Sequence, residues 1–141
     1  MANIIPTAFK TELLSGTHNF ANGGNTFKLA LYTDITGFSA SSTAYSTTGE
    51  VSTTGTNYSA KGNALDGQAV AATGTTAHAT FSAETFSSVS LTAVGAAIIN
   101  TSASDKLCLV LDFGGSKTAT NGDFIVQFPT ANATDAILRI A

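Results

Sequence analysis

From Phe27 onward, apolar residues recur at every second position in short runs. Clusters of Gly, Asn, Ser and Thr separate these runs. That period confines most of the chain to β-strands, because successive side chains of a strand point to opposite faces. Phe27, Leu29 and Leu31 alternate with Lys28, Ala30 and Tyr32. The pattern predicts further strands over residues 76–82, 85–92, 94–100, 107–113, 123–128 and 137–141, with a weaker one over 64–71. Apolar residues on both faces of 107–113 mark it as a central strand, and Pro129 ends the run before it. Turn residues fill 22–25, 100–105, 114–122 and 130–135. The tract 35–62 is rich in Thr, Ser and Gly, with room for short strands near 44–51 and 57–61. One helix is expected at the start, with Pro6 at its first position and Gly16 just past its end. Phe9 and Leu13 share a face of that helix, with Leu14 beside them. Strands without alternating helices exclude a doubly wound sheet. The expected fold is all-β, an antiparallel β-sandwich or jelly-roll-like arrangement with one short N-terminal helix, in a single domain spanning 1–141.

The surface implied by this pattern is unusually neutral. Charged residues make up 11% of the chain, against about 25% in an ordinary soluble domain. Surface charge keeps monomers apart, so a chain with so little of it is expected to lie against other subunits. Net charge is −3, and Lys10, Lys28, Lys61, Lys106, Lys117 and Arg139 form no cluster, which excludes nucleic acid as a partner. The longest apolar run, 93–99, is far short of the roughly 20 residues of a membrane helix, so no membrane partner is expected. The start, Met1-Ala2-Asn3-Ile4-Ile5-Pro6, has no basic stretch before an apolar block and does not read as a secretory signal.

No reaction is legible in the residues. Cys108 stands alone in an apolar run and reads as a small core hydrophobe with no neighbouring base in the sequence. His18 reads as a polar residue after the helix and His78 as an exposed strand residue. No Gly-x-Ser-x-Gly elbow is present. The nine acids are dispersed rather than paired. Asp112 reads as a turn organiser bonding the backbone toward Gly115, and Asp123 as a strand-start residue. No metal-ligand spacing occurs, and Gly114-Gly115-Ser116-Lys117-Thr118 lacks the upstream Gly and following helix of a phosphate loop. Neither an enzyme nor a cofactor is expected. Tyr45 and Tyr58 lie in the polar tract, where they either anchor it to the sheet or form a recognition patch for glycans.

Two longer stretches carry a resemblance. They are Phe9-Lys10-Thr11-Glu12-Leu13-Leu14-Ser15-Gly16-Thr17-His18-Asn19-Phe20 with Phe27-Lys28-Leu29-Ala30-Leu31-Tyr32-Thr33, and Leu109-Val110-Leu111-Asp112-Phe113-Gly114 with Gly122-Asp123-Phe124 and Ala136-Ile137-Leu138-Arg139-Ile140-Ala141. The segments 44–51 and 95–100 also fit. Together they resemble a family of small β-rich virion proteins of tailed bacteriophages. The resemblance implies a non-enzymatic structural component made in the host cytoplasm. Its expected place is the head exterior, as a capsid decoration (cement) protein bound to the major capsid protein. A tail, adaptor or fibre-associated role, with receptor or glycan binding, is the competing implication. A dimer or trimer is expected, with contacts from Ile4, Ile5, Phe9, Leu13, Tyr45 and Tyr58. Residues 1–5 are expected to be a mobile arm able to add to a neighbouring sheet.

Overall fold

Strand β1 (Phe27–Tyr32) is buried along almost its whole length, so both faces of its sheet must be covered. In the computed structural model, which describes residues 3–141, this is what the chain achieves. The other elements are helix α1 (Thr7–Leu14) and strands β2 (Asn63–Ala64), β3 (Ala69–Thr73), β4 (Thr76–Thr80), β5 (Glu84–Asn100), β6 (Lys106–Val126) and β7 (Leu138–Ile140). They form a four-stranded sheet in the order β2-β1-β5-β6 and a three-stranded sheet in the order β3-β4-β7. All pairings between strands are antiparallel. The fold is thus mostly β and sandwich-like with one short helix, as the alternation requires, but the two sheets are not closed on each other.

The main core joins the two sheets. Phe27, Leu29 and Leu31 of β1, Phe86 and Val89 of β5, and Ala79 and Leu138 of the smaller sheet belong to one buried cluster with Phe9, Phe20 and Phe81. Phe20 stacks on Phe27 at 4.4 Å and meets Phe9 edge-on at 5.9 Å, geometries that suit the ring quadrupole. A second cluster lies on the other face of the large sheet. There Tyr32, Ile99, Leu107 and Val110 pack against Ile35 and Phe38 of the long polar tract.

Several expectations are corrected by the ladder between β5 and β6. The separate strands expected over 85–92 and 94–100 are one strand, and those over 107–113 and 123–128 are another. The expected turn over 114–122 is absorbed as irregularity. The segment from Phe113 to Ser116 stands opposite Val94 alone, and Thr120 and Asn121 stand opposite Ser90. Such bulges let a long pair coil without separating. Strand β6 is also an edge strand of its sheet, not a central one. Its first half is nevertheless buried because other backbone covers its edge. Ile4 and Val110 exchange both N–H···O bonds, at 2.8 and 2.9 Å, and Leu107 N–H donates to Thr43 O at 3.1 Å.

The expected arm is therefore docked. Asn3 and Ile4 pair with this chain's own β6, while Met1 and Ala2 lie outside the described residues. The tract 35–62 holds no strand of its own. It contributes isolated bridges, Glu50 to Tyr32 and Ala44 to Lys106, in place of the expected strands near 44–51 and 57–61. Helix α1 lies where Pro6 and Gly16 place it, although Pro6 is the N-cap rather than the first helical residue.

Candidate interaction surface

Two polar networks bring together several of the residues that could do chemistry. The first begins at Asn100, whose Oδ1 accepts from Ser102 N–H at 3.0 Å and so fixes its amide orientation. Its Nδ2 then donates to His18 Nδ1 at 2.9 Å and to Asn25 Oδ1 at 3.0 Å. With Nδ1 accepting, the imidazole proton sits on Nε2, which donates to Glu12 Oε1 at 3.1 Å. Lys106 Nζ binds the other oxygen of Glu12 at 2.7 Å. Burial pushes the Glu12 carboxyl up, but the bonds from Lys106 and His18 outweigh it and hold it below its ordinary range.

Cys108 Sγ lies 3.7 Å from His18 Nδ1, so the fold supplies the base that the local sequence lacks. The resulting Cys-His-Glu order resembles an activated nucleophile only in its sequence of groups. The thiol is fully buried, and burial, with the charge of Glu12, pushes it well above its ordinary value. The Nδ1 lone pair that would take its proton is engaged by Asn100. A reactive cysteine needs exposure and a field that favours the thiolate, whereas this one is buried with the Glu12 charge opposing it. The arrangement pins the segment after α1 to the β5–β6 turn.

The second network ties the polar tract to the large sheet. Glu50 Oε1 accepts from Tyr45 Oη, and Glu50 Oε2 accepts from Tyr58 Oη at 2.7 Å and from Lys61 N–H at 2.7 Å. Tyr58 Oη also accepts from Leu31 N–H at 2.9 Å. Burial, then the Glu50 carboxylate, raises both phenols above their ordinary values. Lys61 Nζ lies over the Tyr45 ring and binds Asp105 at 2.5 Å.

Of the contact residues expected from sequence, Phe9 and Tyr58 are corrected. Both are buried, at 1% and 3% exposure, because Phe9 packs on Phe20 and His18 in the main core and the Tyr58 hydroxyl is held between Leu31 N–H and Glu50. Tyr45 is half-buried within the Glu50 network, so the two tyrosines present no shared glycan-stacking patch. Ile4 and Leu13 are half-buried, and Ile5 is exposed. Leu14, which the sequence set beside the packing stripe, points out at 92% exposure. His78, expected on an exposed face, is buried and bonds Thr73 Oγ1 at 3.0 Å. Asp112 does organise its turn, accepting from Gly114 N–H at 2.8 Å. Among the described residues, no group of three or more His, Cys, Asp or Glu side chains is placed to hold a metal.

One of the open clefts is mostly apolar. It lies between the end of α1 and the small sheet, with a volume of about 470 Å³, walled by Leu13 and Phe20 on one side and by Val70, Ala77, Leu138 and Ile140 on the other. Val70 and Ile140 are more than half exposed, at 54% and 56%. The inner face of the small sheet is thus covered at Ala79 and Leu138 and bare at Val70 on its β3 edge and at Ile140 on β7. The sequence pattern contained this face, since Leu138 and Ile140 alternate, but not that it would be left uncovered.

No protein-family model, curated protein or solved structure matches the chain.

Proposed function

We propose that this chain is a non-enzymatic structural protein of a tailed-bacteriophage virion, a decoration protein that binds the outside of the head through the major capsid protein and copies of itself. The structural observation that supports it is the open apolar cleft, with Val70 and Ile140 exposed on its wall, on a surface with very little charge. Exposed apolar surface bordered by polar residues is a feature of interaction sites. The two networks of titratable groups support the same reading, since each is spent on fastening loops to the sheets. The placement in a virion rests on the resemblance of the sequence.

Imaging the virion with the chain labelled tests this. Decoration predicts many copies spread over the shell, and stripping them weakens the head against heat or osmotic shock. Label confined to a single vertex or to the tail contradicts decoration and favours the tail or adaptor role. Absence of label from purified virions contradicts the virion reading altogether.

A further inference from the structure

We infer that the free edge of strand β3 is a self-association surface, pairing antiparallel with β3 of a second copy across a twofold axis centred on Ala71. The proposal starts from the β3–β4 hairpin. Its register runs without a break from Thr73↔Thr76 to Ala69↔Thr80, and its loop is the two residues Gly74 and Thr75, with Gly74 at φ +61°. In such a hairpin the residues closing the loop form a hydrogen-bonded pair, and the pairs then alternate. Thr73, Ala71 and Ala69 therefore bond to β4. The N–H and C=O groups of Val70 and Ala72 point away from it, along the free edge. Among the described residues, β3 pairs with β4 alone.

Edges of this kind are normally guarded by charge, proline, a bulge or shortness. The other free edges here are guarded in those ways. The outer edge of β6 carries Lys117 and Asp123 and is kinked at Asn121, φ +47°. Strand β7 has three residues and includes Arg139, and β2 has two residues. Strand β3, Ala-Val-Ala-Ala-Thr, has none of these guards, and all five of its residues are exposed. No charged residue occurs from Gly67 to Phe81, so no like charges oppose each other when two copies meet. This neutral edge is complementary to itself.

The register suits a second copy as the occupant. A twofold axis at Ala71 sets Val70 opposite Ala72 of the partner and Ala72 opposite Val70. Every outward N–H and C=O of β3 then finds its mate, while Ala71 meets Ala71 as a non-hydrogen-bonded pair. Val70 lies on the cleft side, so it meets the partner's Ala72 there and the two apolar walls become continuous. The result is a six-stranded sheet. The contact is small beside the roughly 800 Å² per partner of a standard interface. A dissociation constant between about 10 µM and 1 mM is expected. The inference does not depend on where in a particle the chain resides.

The test uses the full chain in sedimentation equilibrium up to about 1 mM, with oxidative cross-linking of two cysteine variants. Opposed Cα atoms in a non-hydrogen-bonded pair lie about 4.5 Å apart, within disulfide range. Ala71→Cys should therefore cross-link readily. Thr73→Cys should not, because its mate lies four residues out of register, about 14 Å along the strand. Cys108 is buried and stays out of the reaction. Val70→Pro deletes an N–H that the hairpin does not use, so the fold should survive while the dimer weakens at least about tenfold. Should Val70→Pro fail to fold, Val70→Lys keeps the ladder and sets charge on the edge, with the same expected loss. A wild-type chain that stays monomeric, with Ala71→Cys linking no faster than Thr73→Cys, overturns the proposal. So does a dimer indifferent to both Val70 variants. Binding of an extended apolar peptide by a chain that does not self-associate overturns it as well, and assigns the edge to another protein's strand.

Discussion

The two faces that could have been left open are treated in opposite ways. The outer face of the large sheet is closed by the chain itself. The tract 35–62 lays Ile35, Phe38 and Tyr45 over it, Glu50 fastens the tract, and Ile4 seals the edge of β6. The inner face of the small sheet is closed only where Ala79 and Leu138 reach the core, and Val70 and Ile140 are left in solvent. Both surfaces are apolar, so hydrophobicity does not distinguish them. The difference is that one has a long loop with anchors and the other has a two-residue turn. A chain that covers one sheet fully and the next only in part leaves the rest of the second available to a partner.

The comparison breaks most completely at Gly62. It has φ +69°, and an added Cβ would lie 1.8 Å from the Leu29 carbonyl oxygen. Backbone cannot yield there as a flexible side chain could, so Gly62→Ala should cost on the order of 3 kcal/mol or more, read as a lower urea midpoint. Next is Glu50→Ala, which strips acceptors from two phenols and the Lys61 amide. About 2 to 3 kcal/mol should be lost, and amide exchange should rise through 35–62 while β3 and β4 are unchanged.

A smaller effect tests the tie between α1 and the β5–β6 turn. The Glu12 carboxyl is held below its ordinary value of 4.5 in the folded chain. Its contribution is therefore complete above that ordinary value and is lost as pH falls through the lower folded one. Glu12→Gln should remove about 1 kcal/mol at neutral pH and flatten the decline in stability on acidification, followed by thermal melts from pH 6 to pH 3. The smallest effect is expected on the open face. Ile140→Ser should change the stability of the monomer by no more than about 0.5 kcal/mol. A large loss there would mean that the face is already covered.

How far the sequence foretold this follows from the range of each signal. Strands β1, β4 and β7 and helix α1 were legible because their alternation or end signals are local. The joined strands β5 and β6 were not. Gly114, Gly115 and Asn121 carry turn chemistry, and nothing local shows that a long partner strand will absorb them as bulges. Burial of β6 was read correctly from Leu107 to Leu111, but the inferred central position was wrong, because its cover comes from Ile4 and Thr43, remote in sequence. Phe9 and Tyr58 were recognisable as anchors or contacts, and only packing decides between those. The His18, Asn100 and Cys108 grouping had no sequence signal at all, since His18 lies more than 80 positions from both of its partners.

Amide hydrogen exchange at Val70, Ala72 and Val110, followed from micromolar to millimolar concentration, tests the contrast between the faces most directly. Val110 N–H should be protected throughout by Ile4, whereas Val70 and Ala72 should exchange freely when dilute and gain protection as concentration rises. Protection of Val70 and Ala72 that never changes with concentration, or a Val110 amide that exchanges as fast as they do in dilute solution, would contradict it.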